Sequence, residues 1–158
     1  MSILSLFQWY DHTGLADWMH RSAWGFAVVE MFHLIALALF GGAVLMLNLR
    51  LLGIFLPGRP AGQIARDLAP LIFGTLVVLA ITGVLMISEE AMKCYHNTAF
   101  RWKMLLFLPA LLLSVGMHRR LATSPGSFAS ESTARFAAVL SLTLWFSVGV
   151  AGRAVGYL

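Results

Sequence analysis

The chain has 158 residues, of which 59% are hydrophobic and only 11% are charged, and its mean hydropathy is +0.82. A water-soluble domain carries about 25% charged residues, so this chain has too few to cover a water-facing surface, and the lipid bilayer must cover much of it. The net charge of +4 does not indicate nucleic-acid binding, because the basic residues stand mainly at the ends of apolar runs, where they act as topology signals.

The N-terminal segment, residues 3–20, mixes aromatic and aliphatic residues with polar positions, and Gly14 interrupts it. The segment is too short and too polar to cross a bilayer. A run of this composition is typical of a helix that lies in the membrane interface, so we expect an interfacial helix here.

Four apolar runs follow, and each is close to the length of about 20 residues that a membrane-spanning helix needs. They cover about 23–49, 68–88, 100–117 and 134–157. Residues 61–68 are expected to begin a short helix before Pro70, and Pro109 is expected to kink the third span. The sequence therefore predicts an all-α integral membrane protein: one domain over residues 1–158, a four-helix bundle with an N-terminal interfacial helix.

Basic residues are distributed unevenly between the two sides of this bundle. We call side A the side that holds both chain termini, and side B the side that holds the loops at 50–67 and 119–135. Side B carries six basic residues: Arg50, Arg59, Arg66, Arg119, Arg120 and Arg135. Side A carries five, Arg21, Lys93, Arg101, Lys103 and Arg153, and the last two are expected to lie inside the membrane, which leaves three. The positive-inside rule places side B in the cytoplasm, with both termini facing outward.

Ionisable residues from different spans fall at similar depths in the side-A half. At 1.5 Å per helical residue, Glu30 lies roughly 10 Å and His33 roughly 14 Å below the side-A end. Lys103 and Arg153 lie roughly 6 Å and 5 Å below that end. Ionisable groups inside a membrane usually face the bundle interior and find partners there. We therefore predict that Glu30, His33, Lys103 and Arg153 form one connected cluster.

Three residue stripes are predicted to face this cluster from the other spans. Span two contributes Thr75, Thr82 and Glu89; span three contributes Lys103, Phe107, Ala110, Ser114 and His118; span four contributes Trp145, Gly149 and Arg153. Glu30 and His33 share a face of span one as i, i+3 neighbours.

Two interpretations of the cluster stay open. One is a network of salt bridges that pins the helices together. The other is a cofactor or metal site, with His33 as the metal ligand. A neutral imidazole in an apolar span is a suitable axial ligand for haem iron, and Lys103 and Arg153 would pair with the haem propionates. Glu-x-x-His is also half of a di-iron motif, but no second copy exists in the sequence.

A haem on His33 is expected to be five-coordinate or to have a sixth ligand other than histidine, for which Met86 and Met104 lie in the right half of the bundle. His118 lies roughly 13 Å deeper than His33, and we expect it at the side-B interface beside Arg119. The remaining histidines are His12, His20 and His96, which fall at the side-A rim, where they would form an outward-facing copper or zinc site or stay surface residues. A quinone or proton-relay role would use the same cluster.

Six stretches of the chain carry a family resemblance: 30–33 (EMFH), 48–53 (NLRLLG), 82–83 (TG), 97–103 (NTAFRWK), 141–145 (SLTLW) and 152–157 (GRAVGY). In them the sequence resembles, over nearly its whole length, an uncharacterised family of short bacterial membrane proteins known as a domain of unknown function. The family pattern has Asp where this chain has Asn48 and Pro where it has Thr98. The resemblance implies the bacterial inner membrane, so the outward-facing termini would be periplasmic.

The overall plan is also similar to the copper-resistance protein D and HemJ membrane families. These share a histidine in the first span and a Phe-x-x-Lys that opens a later span, here His33, Phe100 and Lys103. HemJ-like proteins bind haem b and oxidise protoporphyrinogen, and the copper-resistance proteins are linked to copper uptake. The resemblance implies handling of haem or copper, and it leaves open whether the protein is an enzyme.

Two functions therefore stand as hypotheses. The first is a bacterial inner-membrane protein with a haem b or metal site around His33, used in redox chemistry or metal handling. Such a protein would meet an electron-transfer partner or a second copy of itself. The second is a non-catalytic membrane subunit whose buried charge cluster is structural.

Overall fold

The computed structural model describes residues 24–89, 97–123 and 130–155. Over these residues the chain forms four α-helices: α1 Gly25–Leu51, α2 Ala61–Glu89, α3 Thr98–Thr123 and α4 Glu131–Val155. Each helix is long and apolar enough to cross a membrane. The predicted all-α four-helix architecture is confirmed, while the predicted interfacial helix at 3–20 lies outside the described residues.

The helices extend further toward side B than the apolar runs predicted. Helix α2 begins at Ala61 and continues through Pro70, so the separate short helix expected before this proline is wrong. A proline inside a helix removes one backbone hydrogen bond and costs about 3 kcal/mol. The first turns of α2 offset this cost by packing, because Ile64 and Ala65 are buried against Leu47 of α1 and Leu121 of α3.

Neighbouring helices in the bundle run antiparallel, with α1 packed on α2 and α3 packed on α4 along most of their lengths. The beginning of α1 meets the end of α2, where His33 contacts Thr82. At the opposite end, Asn48 of α1 contacts Ser141 near the middle of α4. Helices α2 and α3 also contact each other, as do α1 and α4, so the four helices enclose one interior.

The outer surface of the bundle is strongly apolar. Large side chains on all four helices point outward, among them Phe32, Ile81, Leu105 and Phe146. Contiguous exposed apolar surface on this scale is rare on a protein surrounded by water, whereas hydrocarbon chains cover it without cost. The architecture is that of a multi-pass membrane protein in contact with lipid.

Three aromatic rings meet at mid-depth in the interior, and we call them the ring layer: Phe40, Phe107 and Trp145. The ring of Trp145 meets Phe40 edge to face at a centroid distance of 4.8 Å and Phe107 at 6.0 Å. Its indole N–H donates a 2.7 Å hydrogen bond to Ser114 Oγ, which pairs the buried polar atom of the ring.

The loop that follows α1 is held by the last basic residue of that helix. Arg50 Nε donates to the carbonyl oxygen of Arg59 at 2.6 Å, and its Nη2 donates to the carbonyl oxygen of Pro57 at 3.2 Å. The guanidinium thus binds two carbonyl oxygens of the loop, which fixes the turn between α1 and α2.

A close approach of α2 to α3 on side B depends on Gly62, and we expect its replacement by alanine to destabilise the bundle. A Cβ atom at Gly62 would stand 2.7 Å from the backbone oxygen of Leu121. Small residues permit such approaches between membrane helices, and overpacking costs about 1–3 kcal/mol. Thermal unfolding in detergent checks this. Gly74→Ala is the matched control in the same helix, because a Cβ there meets no atom within 4 Å; equal melting temperatures for the two variants would contradict the prediction.

Candidate functional site

His33 of α1 makes an interhelical hydrogen bond in the side-A half of the bundle. Its Nδ1 lies 2.8 Å from Thr82 Oγ1 of α2, and Thr82 is buried. Both residues were placed on inward faces by their spacing. The bond fixes the plane and the direction of the imidazole ring. Without a hydrogen-bond partner, a histidine on an apolar helix would rotate more freely.

The hydrogen-bond pattern around Thr82 determines which nitrogen of His33 carries the proton. A threonine hydroxyl has one proton, and Thr82 donates it to the carbonyl oxygen of Val78, four residues back in α2, at 2.7 Å. Toward His33 the hydroxyl oxygen is therefore the acceptor, so Nδ1 is the protonated nitrogen. In a neutral ring Nε2 then carries a lone pair, which is the form that binds a metal.

Two charged residues lie close enough to act on His33. Lys103 of α3 and Glu30, one turn before His33 in α1, are the groups whose charges reach the imidazole. Across the helix pair stands Gly83, where a Cβ would be 3.7 Å from His33 Cε1. The glycine thus leaves the edge of the ring uncrowded, and a positive and a negative group stand near it.

Lys103 lies along the surface of α4. Its Cε would be 3.5 Å, and its Nζ 3.7 Å, from a Cβ placed at Gly152, so the lysine stem runs over this glycine. Arg153, the next residue, has an exposed side chain. Of the four predicted cluster residues, Glu30 and Lys103 lie within electrostatic reach of His33, and Arg153 lies at the side-A end of α4.

The inward stripe of α4 differs from the predicted one. The predicted stripe consists of Trp145, Gly149 and Arg153. Of these three residues, Gly149 and Arg153 are exposed. Steps of four residues drift around a helix that repeats every 3.6 residues. The buried positions of α4 are Ala134, Ala138, Ser141 and Val148. Together with the half-buried Trp145 and Gly152 they alternate steps of three and four and therefore stay on one face.

The predicted stripe of α3 is confirmed, including His118 at its end. Lys103, Phe107, Ala110 and Ser114 all face inward. His118 was expected at the interface, but its side chain is buried and only 3% exposed. Its ring packs edge to face against Phe73 of α2 at a centroid distance of 5.6 Å. The basic pair that follows, Arg119 and Arg120, correctly placed His118 near the side-B end of the span. It gave no information on the direction of the His118 side chain.

Several polar partners in the interior were not assigned a role from the sequence. Thr82 lies on the predicted inward stripe of α2, but its bond to His33 was not predicted, and no structural role was predicted for Asn48. Asn48 donates from Nδ2 to the Val44 carbonyl oxygen at 2.8 Å and to Ser141 Oγ at 3.2 Å. A polar residue in an apolar span usually faces another helix, which is the signal that would have found both.

Within the ranges 24–89, 97–123 and 130–155, no group of three or more His, Cys, Asp or Glu residues is close enough to hold a metal ion. The rim histidines His12, His20 and His96, together with Glu90, lie outside these ranges. The described part of the site therefore offers one imidazole, flanked by a lysine and a glutamate.

The fold and these polar contacts define a membrane protein of four helices with a histidine held between α1 and α2. The model of a family of unknown function, DUF6644, matches residues 6–158, and the chain belongs to this family. No curated protein matches the chain, and no solved structure does.

Proposed function

We propose that this protein is a bacterial inner-membrane protein that binds haem b or a metal ion through His33 and serves redox chemistry or metal handling. The observation that carries the proposal is the hydrogen bond from His33 Nδ1 to Thr82 Oγ1. Histidines that bind metals almost always donate their other ring N–H to a neighbouring acceptor, which fixes the tautomer and the ring direction.

Haem b is the cofactor that the described residues support best. A porphyrin supplies four nitrogen ligands to its iron, so one imidazole from the protein is enough to bind it. His33 Nε2 has the lone pair for this role. Lys103, whose charge reaches His33, would hold a propionate, and Arg153 would do so from the end of α4. The haem would be five-coordinate, or the half-buried Met86 would supply a sixth ligand, as methionine does in some haem proteins; Met104 is exposed. Bound haem would supply a one-electron couple.

Glu30 would tune the site without binding the metal. Its carboxylate stands one helical turn from His33, and its charge acts on the imidazole. A negative group close to a metal-binding ring favours positive charge at that ring. Glu30 would therefore stabilise the more oxidised, more positive state of a metal on His33, and Lys103 would oppose it.

The side-A half would face the periplasm. This orientation rests on the excess of basic residues on side B and on the positive-inside rule. A redox partner would then approach from the periplasm, at the end of the bundle where α1 begins and α4 ends. A second copy of the chain is the other partner compatible with the exposed apolar surface.

The experiment is an absorption spectrum and a metal analysis of the purified, haem-supplemented protein in detergent. We expect a Soret band, and we expect His33→Gln to remove it. His118→Gln is the matched control, because it makes the same change at the other histidine in the described membrane helices and should leave the band intact. Circular dichroism confirms that both variants keep their helices.

Each other outcome assigns a different function. A bound metal that depends on His33, without a Soret band, would support the metal-handling form of the proposal. Equal loss of signal in both histidine variants would remove His33 from its role as ligand. A folded protein that stays colourless and metal-free after supplementation would overturn the proposal and favour the non-catalytic subunit, with a charge cluster that only holds helices together.

A further inference from the structure

A small cavity lies on the side-B side of the ring layer, separate from His33. Its volume is about 20 Å³, and all four helices contribute to its wall. Most lining residues are aliphatic, but four polar ones also line it: Asn48, Ser114, Ser141 and His118. On α1 the cavity is well separated from the first site, since Asn48 stands about 22 Å along the helix from His33.

Two of these polar residues are buried and only partly satisfied. His118 is 3% exposed and Asn48 is 2% exposed. Neither ring nitrogen of His118 has a hydrogen-bond partner among the described residues, and neither does Asn48 Oδ1. Buried polar groups are nearly always hydrogen-bonded, to protein or to ordered water. An occupant of the cavity must therefore form hydrogen bonds with these three atoms.

The missing partner has to both donate and accept. One nitrogen of a neutral imidazole is a donor and the other an acceptor, and the Asn48 amide oxygen is an acceptor. The Nδ2 group of Asn48 is already used on Val44 and Ser141, so the remaining need is for a small molecule with hydrogens and lone pairs. A cavity of about 20 Å³ exceeds the roughly 10–15 Å³ that a water molecule requires.

We propose that this cavity is a site for ordered water that bridges the imidazole of His118 and the Oδ1 atom of Asn48. The site is independent of any cofactor at His33. Other occupants fit less well. The polar lining residues are all uncharged apart from the titratable imidazole, so the cavity offers a cation no carboxylate, and a lipid chain would leave the same three polar atoms unpaired.

Nuclear magnetic resonance on histidine-labelled protein in lipid nanodiscs tests the proposal, with bulk water as the probe. Magnetisation transferred from water is read on the carbon-bound ring protons of His118, because these protons do not exchange with solvent. His118→Gln identifies the signal. We expect a cross-peak to water in the unaltered protein and its loss in Asn48→Leu, which removes the acceptor and fills the space.

Phe73→Leu is the control, because it removes the ring packed on His118 and leaves the cavity polar groups in place. The cross-peak should survive in this variant. The unaltered protein decides the matter even if Asn48→Leu fails to fold: absence of a water cross-peak on His118, or a cross-peak to lipid methylenes instead, would overturn the proposal. A water cross-peak that persists unchanged in folded Asn48→Leu would also overturn it.

Discussion

Replacing Thr82 with valine is expected to weaken binding of the cofactor at His33 by about 10–100-fold, the usual effect of removing the group that orients a metal-binding histidine. Valine has nearly the same shape as threonine but no hydroxyl. Nδ1 of His33 would lose its acceptor at 2.8 Å, so the ring would rotate more freely and both tautomers would be populated. The prediction rests on the proposed function, and titration of the purified apoprotein with haem measures it.

Thr75 provides a matched control on the same stripe of α2. Its hydroxyl also donates to the carbonyl four residues back, that of Leu71, at 2.7 Å, and the residue is buried. Thr75→Val should therefore change the helix in the same way and leave the affinity unaltered. Thr82→Ser should restore binding. Unchanged affinity in Thr82→Val, alongside loss in His33→Gln, would show that Thr82 does not orient the ring.

Replacing Phe40 with alanine is expected to cause the largest loss of stability in the bundle. Phe40 is 1% exposed, and it packs edge to face on Trp145. Buried Phe→Ala changes cost about 3–5 kcal/mol in water-soluble cores. Helices in lipid lack the hydrophobic driving force for association, so we expect the lower end, about 3 kcal/mol, from lost packing.

Phe32→Ala is the control for this change. It removes the same side chain from the same helix, but Phe32 is 53% exposed and contacts lipid. Unfolding by titration with a denaturing detergent should separate the two variants clearly. If Phe32→Ala and Phe40→Ala destabilise equally, the ring layer does not contribute to the packing of the helices.

The four helices could be predicted from the sequence because each contains an apolar run long enough to span a membrane. Their side-B ends could not, because those turns are less apolar and are held by tertiary contacts. Ala65 and Leu121 are buried at these ends, in turns that the apolar runs did not include. Pro70 is the clearest case, since local propensity favours a break there and packing of the first turns of α2 prevails.

The candidate site was predictable in depth and only partly in direction. Rise per residue placed His33 and Lys103 at related depths, and the charge of Lys103 does reach His33. The direction of a side chain needs an accurate helical phase, and on α4 two steps of four residues from Trp145 lead to the exposed Gly149 and Arg153. His118 shows the same limit, because its basic neighbours indicated the membrane edge while its own side chain points into the bundle.

The ring layer divides the interior into two compartments with separate neighbours. His33 and Thr82 lie toward side A, while Asn48 and His118 lie toward side B, and Phe40, Phe107 and Trp145 stand between them. The indole N–H of Trp145 is directed to Ser114, so it serves the side-B compartment. The aromatic layer is apolar, so the polar side chains of the interior form two separate groups, one around His33 toward side A and one around His118 toward side B.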